Sequence, residues 1–222
     1  MALILNLETA TRNCSVALAK DGVVLCVKEI AGEGYLHAEK LHLFIEEAIA
    51  EAGYSYKNLT AVAVSMGPGS YTGLRIGVSA AKGLCYALRL PLMAVDTLEI
   101  LARQLSVNDG ETIIPLIDAR RMEVYSAVFD SHYTKLRDTQ AEIITSESFS
   151  KIPGSIHLIG DGAVKCKEFL KDERFTFHDN IVFPSASEMA IISYNKNKIG
   201  DIVDVAYFEP FYLKDFIAGK KL

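Results

Sequence analysis

The residues best suited to chemistry form a glycine-rich turn, Gly67-Pro68-Gly69-Ser70-Tyr71-Thr72-Gly73, between an apolar segment and a helix-forming one. Backbone N–H groups at a helix N-terminus carry partial positive charge, and glycine lets a ligand approach closely, so such a turn can hold a phosphate. The turn lacks the Lys-Ser/Thr ending of a P-loop. Gly67, Gly69 and Gly73 also miss the dinucleotide-binding pattern G-x-G-x-x-G, because Gly73 lies one residue too far along the chain. A phosphate site and a plain strand-to-helix turn therefore stay open as alternatives.

Two acidic residues, Glu8 and Asp118, each end a predicted strand. Glu8 could hold a magnesium–water complex in a nucleotide cleft, or it could accept hydrogen bonds from the adjacent turn, which is the favoured interpretation. The sequence Asp118-Ala119-Arg120-Arg121 resembles a turn held by its own side-chain bonds. If the chain contacts a nucleotide, the candidate binding residues are Glu8, Thr9, Gly67 and Gly69.

No catalytic set stands out elsewhere. His37 and His42 are five residues apart, about 140° around a helix, which misses the spacing of a helical metal pair. The other three histidines (His132, His157 and His178) look isolated, and the four cysteines form no CxxC pair. We therefore expect neither a metal site nor a disulfide framework.

Composition narrows the function classes. The chain has 222 residues, half of them apolar, with a net charge of −5. An acidic chain without a basic run is poorly suited to gripping a phosphate backbone alone, so any nucleic acid would be held through a partner. The short apolar start reads as a strand and no apolar stretch is long enough to span a bilayer, so the cytoplasm is the expected location and no membrane partner is expected.

Hydrophobic periodicity predicts an alternating α/β chain. Strands are predicted at residues 3–7, 15–19, 23–27, 59–65, 92–95, 112–117, 123–129, 141–144 and 156–159. Helices are predicted from 37 to 52, 72 to 88, 98 to 105, 146 to 150, 163 to 170 and 187 to 195, and the aromatic tail at 207–213 is expected to pack down.

The two halves repeat one plan. Each opens with a strand ending in an acidic residue, a tight turn and a second strand, and each continues with a helix, a strand, a glycine-bearing turn and a helix. This predicts two sheet-and-helix lobes, residues 1–106 and 107–222, in the duplicated, ribonuclease H-like arrangement that actin, Hsp70 and sugar kinases share (the ASKHA fold). The glycine turn and any subunit interface fall in the first lobe.

The helix after the glycine turn has a face with almost no side chains. Small residues there lie at close spacing, and each glycine costs the helix about 1 kcal/mol relative to alanine, so a packing gain is expected to offset it. The face could pack against its own sheet or dock a helix of a second subunit, and we expect both, on different faces. On this view Gly77→Leu should weaken pairing and leave the fold intact. The small residues are Gly73, Gly77, Ala80, Ala81 and Gly83.

Several segments together resemble the bacterial TsaB family, also called YeaZ, and the match runs along nearly the whole chain. The family belongs to the complex that adds threonylcarbamoyl to the tRNA adenosine 3′-adjacent to the anticodon, and its fold is the actin-like one expected above. The segments that carry the resemblance are residues 4–11, 14–18, 65–77, 81–84, 94–98 and 117–125.

The resemblance implies a non-catalytic subunit. The catalytic relative TsaD carries a metal-binding His-x-x-x-His, whose two positions here are Thr97 and Leu101, neither a good metal ligand. The family's usual aspartate on the first strand is Glu8 here.

The implied partners are a TsaD-type transferase subunit and a TsaE-type ATPase, with tRNA contacted only through the complex and a homodimer formed by the isolated chain. No firmly bound cofactor is expected, and ATP or ADP with Mg²⁺ near the subunit junction is the one candidate. The alternative function is a self-sufficient ATP-binding enzyme of the actin/sugar-kinase class. The residues expected at the partner interface are His37, Leu41, Thr72, Gly73, Ile76, Gly77 and Ala80.

Overall fold

The computed structural model describes residues 1–32, 34 and 36–213 of the chain. Its core is two five-stranded sheets, one from each half of the sequence. The first sheet has the order β3-β2-β1-β4-β5, in which β1 pairs antiparallel with β2 and parallel with β4. Its strands are β1 (Leu3–Glu8), β2 (Asn13–Lys20), β3 (Val23–Ala31), β4 (Ala61–Gly67) and β5 (Leu92–Asp96).

Helices cover the first sheet because its central strands are apolar on both faces. Every residue of β1 is buried, a pattern that requires cover on each side of the sheet. On one face, α1 (His37–Glu51) and α2 (Tyr71–Leu88) pack with the sheet in a single hydrophobic cluster, and a short 3₁₀ turn (Tyr56–Asn58) precedes β4.

The second sheet repeats the order of the first. Read from its antiparallel edge it runs β8-β7-β6-β9-β10, and β6 again pairs antiparallel with the next strand and parallel with the fourth. The repeat and the two-lobed actin-like fold predicted from the sequence are thereby confirmed. The strands are β6 (Thr112–Asp118), β7 (Glu123–Phe129), β8 (Lys135–Ile143), β9 (Ile156–Ile159) and β10 (Phe175–Phe177).

The last helix of each half packs against the sheet of the other half. The first, α3 (Thr97–Ala102), places Leu98 and Leu101 in a cluster with Ile113 and Phe129 of the second sheet. The second, α5 (Met189–Ile199), buries Met189 and Ile192 against the first sheet. Two of the hydrophobic core clusters therefore contain residues from both halves of the sequence.

Several sequence-based expectations in the second half are wrong. Residues 146–150 form turns rather than a helix, because Phe149 adopts a left-handed φ of 62° that a helix excludes. The next helix, α4 (Ala163–Cys166), ends four residues before the predicted 170. The last helix begins and ends later than the predicted 187–195. Strand β10 was not predicted, because three residues are too few to show an alternation of apolar and polar side chains.

The described tail lies along the first lobe. Val203 forms a bridge with Leu92 at the edge of the sheet, and Phe208 packs against the core, as the aromatic composition predicts. Tyr207, in contrast, is 84% exposed. Within residues 1–32, 34 and 36–213, no helix combines the length and apolarity needed to cross a bilayer.

Candidate functional site: the glycine turn and the groove between α1 and α2

Several backbone N–H groups of the glycine turn already donate hydrogen bonds to other residues of the chain. The Gly67 N–H donates to Thr97 Oγ1 at 3.1 Å, and the Ser70 N–H donates to the Ala10 carbonyl at 2.7 Å. Ser70 is the N-cap of α2, and its hydroxyl accepts from the Gly73 N–H at 3.3 Å. These N–H groups are therefore not directed at a ligand.

Carbonyl oxygens cover the glycines of the turn. A Cβ on Gly69 would clash with the Ala10 carbonyl, and a Cβ on Gly67, which has a φ of 109°, would lie 2.7 Å from the Phe211 carbonyl. Carbonyl oxygens carry partial negative charge and repel an anion. The turn in this arrangement therefore does not fit a phosphate, and a nucleotide with Mg²⁺ near the subunit junction stays a prediction.

Glu8 is fully buried and bonds to the adjacent turn, as the favoured interpretation has it. Its Oε1 accepts from the Ala10 N–H at 2.5 Å. Burial raises the pKa of Glu8 to about 8, although the Ala10 N–H and the Ser65 hydroxyl act in the opposite direction. The carboxyl is then mostly protonated at neutral pH, and a neutral carboxylic acid is a poor ligand for Mg²⁺.

The small face of α2 packs against the segment after β1. Thr9 Oγ1 donates to the Gly73 carbonyl at 2.9 Å, and added Cβ atoms on Gly73 and Gly77 would clash with the Thr9 carbonyl and hydroxyl respectively. This confirms the interpretation in which the face packs within the chain. The expectation that Gly77→Leu leaves the fold intact is wrong, because a leucine there would push into Thr9.

Four residues expected at a partner interface are buried inside the lobe. Leu41 belongs to the hydrophobic core, and His37 is fully buried with Nε2 2.8 Å from the Thr11 carbonyl. Burial lowers the pKa of His37 despite this carbonyl. Gly73 and Gly77 meet Thr9, as above. These four positions are therefore packed inside the lobe rather than exposed for direct contact with a partner. The His37 contact joins residues 26 apart and the Gly73 contact joins residues 64 apart, so local sequence did not indicate them.

The remaining interface residues line an open groove between α1 and α2. Thr72 is exposed, Ile76 is half-buried and Ala80 is 9% exposed. The groove has a volume of about 810 Å³ and a mainly apolar wall, formed by Ala38, His42, Tyr71, Thr72, Arg75, Ile76, Ser79, Ala80, Gly83 and Leu84. Gly83 opens onto space, since an added Cβ would meet nothing within 4 Å. The helix pair therefore carries a concave apolar surface outside its packed face.

A segment of the tail, residues 203–213 (the strap), runs from the sheet edge to the rim of this groove. The Phe211 N–H donates to the Met66 carbonyl at 2.7 Å, and Lys82 Nζ donates to the carbonyls of Ala206 and Phe208 at 3.1 and 3.0 Å. At the rim the Arg75 guanidinium stacks on the Tyr71 ring, and the Tyr212 ring lies beside both. The only sequence signal for this cluster was the aromatic tail.

The two positions that correspond to metal-binding histidines have structural roles. Thr97 is buried and accepts the Gly67 N–H, and Leu101 lies in the cluster shared with the second sheet. Among the described residues, no group of three or more His, Cys, Asp or Glu side chains is arranged to hold a metal ion.

The second lobe has a polar turn at the position equivalent to Glu8. Asp118 Oδ1 accepts from the Arg120 N–H at 2.7 Å, so this turn is held by its own side chain as predicted. Lys165 Nζ lies 2.5 Å from the same oxygen, and the Asp118 N–H donates to Asp161 Oδ1 at 2.9 Å. The arrangement is an exposed ion pair over a hairpin.

Two histidines thought to be isolated are neighbours. His157 Nδ1 lies 2.9 Å from His178 Nε2, and His157 Nε2 lies 3.3 Å from Glu111 Oε2. His157 lies in β9, and His178 follows β10, so their contact depends on the strand pairing that the sequence did not predict. Burial, together with His157, lowers the pKa of His178.

Comparison with known proteins places the chain in a family. Residues 31–213 match the family model described as TsaD, tRNA N6-adenosine threonylcarbamoyltransferase. The tRNA threonylcarbamoyladenosine biosynthesis protein TsaB of Escherichia coli K12 is 32% identical over 99% of this chain and 97% of its own length, and that of Haemophilus influenzae is 28% identical over 99% and 96%. The solved structure of YeaZ from Pseudomonas aeruginosa superposes with a TM-score of 0.85 at 26% identity, covering 96% of this chain and all of that one. This chain therefore belongs to the TsaB (YeaZ) family, which the TsaD family model also recognises.

Proposed function

We propose that this chain acts in threonylcarbamoyladenosine synthesis on tRNA as a non-catalytic subunit that pairs with a TsaD-type transferase. The names of its full-length relatives support the pathway. The observation that carries the pairing role is the apolar groove between α1 and α2, a concave surface that the described residues leave uncovered along the exposed side of α2. A TsaE-type ATPase is the expected third member, and tRNA is reached through the complex.

A supporting role rather than catalysis agrees with the residues present. Thr97 and Leu101 are committed to a backbone hydrogen bond and to the core, and Glu8 is a buried acid with a pKa of about 8. The carbonyls of Ala10 and Phe211 cover the glycines that would cradle a phosphate. The chain thus supports a catalytic neighbour by presenting a surface.

Gly83→Leu tests the pairing without disturbing the packed face. A leucine at Gly83 would project into the groove, and its Cβ would meet no atom within 4 Å. The substitution also removes a glycine from the helix interior, where glycine costs about 1 kcal/mol of helix stability relative to alanine. In sedimentation velocity with the TsaD-type protein of the same organism, the wild-type chain should form a one-to-one complex and Gly83→Leu should not. Ala50→Leu, which places a leucine at an exposed position near the end of α1 and outside the groove lining, is the matched control and should pair normally.

The alternative function, a self-sufficient ATP-binding enzyme, makes a different prediction. Calorimetry of the lone chain with ATP and Mg²⁺ should give no micromolar binding, because the glycine turn does not fit a phosphate in this arrangement. Micromolar binding that Glu8→Ala abolishes would favour the alternative, and full transferase activity of the purified chain by itself would overturn the proposed function.

A further inference from the structure

The rim of the groove holds one arginine in a fixed position. Arg75 Cζ lies 4.0 Å from the Tyr71 ring centroid and 5.9 Å from that of Tyr212, and the two rings are 5.1 Å apart. Arg75 Nε donates to Tyr212 Oη at 3.2 Å. Stacking and this hydrogen bond orient the guanidinium before any partner arrives, which lowers the entropy lost on binding.

Within residues 1–32, 34 and 36–213, the guanidinium has no carboxylate partner. Arg103, Arg137 and Arg174 each lie within 4.0 Å of an acidic side chain, whereas among the described residues none pairs with Arg75. The residues lining the groove include no Asp or Glu. Tyr212 accepts from Nε and Tyr71 also hydrogen-bonds the guanidinium, so the remaining N–H groups at the Nη end of the fork are the ones available to an incoming acceptor.

A carboxylate fits this site better than a nucleic acid phosphate. Arg75 and Lys82 are the only charged side chains within α2, and Lys82 Nζ is already bonded to two strap carbonyls. One cation in an apolar groove, on a chain of net charge −5, is too little positive charge for a phosphate backbone. It suits one acidic side chain on a helix whose apolar face fills the groove.

We propose that Arg75, braced by Tyr71 and Tyr212, binds a carboxylate on the partner helix in the α1–α2 groove and distinguishes that partner from a second copy of this chain. The inference rests on the proposed function, since it assumes that the groove is the pairing surface. The groove lining that a second copy would present contains no Asp or Glu among the described residues, so we expect no carboxylate of that lining to meet Arg75. The strap contributes to recognition because Tyr212, which lies on it, holds the guanidinium.

The test compares partner binding with self-association in the full chain. Isothermal titration calorimetry with the TsaD-type protein, without tRNA or ATP, measures the first, and sedimentation equilibrium of the chain alone measures the second. Arg75→Ala should weaken partner binding about 10- to 100-fold, and Arg75→Lys by at least about 5-fold because lysine lacks the fork. Self-association of Arg75→Ala should change by less than about 3-fold, since no charge-assisted bond is lost there.

Two further variants give reference values for the loss of partner binding. Arg89→Asn removes the same charge at the far end of α2, where a φ of 56° suits asparagine, and should change partner binding by less than about 2-fold. Tyr212→Phe removes the acceptor for Nε and should weaken binding less than Arg75→Ala but more than Arg89→Asn.

The outcomes separate the two proposals. If the wild-type chain binds the TsaD-type protein and Arg75→Ala binds as tightly, the carboxylate contact is wrong and the pairing stands. If Arg75 matters only after tRNA or ATP is added, its ligand is a phosphate and the inference is overturned. If the wild-type chain does not bind at all, the proposed function fails and the inference fails with it.

Discussion

The two lobes share one strand order, but the acidic residue at the end of the first strand is buried in one lobe and exposed in the other. Glu8 ends β1 with no exposed surface, in a lobe whose glycine turn leads into an 18-residue helix, whereas the Asp118 side chain at the end of β6 is 47% exposed. The helix after β9 in the second lobe has only four residues, so the polar turn there stays open. The first lobe thus buries the carboxyl group at the end of its first strand and exposes the outer side of the helix that follows the glycine turn.

The tightest part of the first lobe is the contact of α2 with Thr9. Gly77→Leu should reduce the free energy of unfolding by about 4 kcal/mol, since the side chain would overlap the Thr9 hydroxyl in a packed interior. Urea denaturation followed by circular dichroism measures this. Gly83→Leu, on the same helix but facing the groove, is the matched control and should be neutral or stabilising. Equal stability of the two variants would contradict the close packing of α2 against Thr9.

The buried acid of the first lobe should make stability depend on pH. Because the pKa of Glu8 rises from 4.5 to about 8 on folding, its contribution to the free energy of unfolding is full below pH 4.5 and declines until about pH 8. Glu8→Gln removes this decline, so the stability difference, variant minus wild type, should increase by about 4 kcal/mol between about pH 5 and about pH 9.

Denaturation curves across that pH range give the measurement. Asp118→Asn alters the equivalent but exposed carboxyl, whose ion pair with Lys165 contributes about 1 kcal/mol or less. A Glu8→Gln difference that stays flat with pH would show that Glu8 is ionised in the folded chain.

The open turn of the second lobe carries local strain instead. Arg120 and Arg121 have φ values of 70° and 52°, a conformation that costs a non-glycine residue about 1 kcal/mol or more. Arg120→Gly should therefore stabilise the chain by about 1 kcal/mol in thermal or urea unfolding, and Arg120→Ala should not. A destabilised glycine variant would mean that the arginine side chain, rather than the backbone, holds this hairpin.

The sequence predicted the framework well because apolar runs and turn glycines are local signals. The strands around Leu5, Val62 and Ile114 and the long helix after Ser70 were all found this way. The short elements were not, since Phe149 adopts a backbone conformation that no local pattern reveals and β10 is only three residues long.

The site was predictable in part only, because its contacts join distant residues. The glycine face of α2 was recognised, but its partner Thr9 is 64 residues from Gly73. Arg75 and Tyr212 are 137 residues apart, so the aromatic tail alone did not indicate that Tyr212 would contact Arg75 at the groove rim. The apolar spacing of α1 places Leu41 on its buried face, but the burial of His37 depends on its contact with Thr11, 26 residues away.

Hydrogen–deuterium exchange of the chain, alone and with its TsaD-type partner, tests the central claim most directly, because it reports both regions at once. If the groove is the pairing surface, amide exchange in residues 38–42 and 71–84 should slow when the partner binds. Exchange in the β6–β7 turn at 118–123 should not change. Protection confined to residues 118–123, with α1 and α2 unaffected, would contradict the assignment of the groove as the pairing surface.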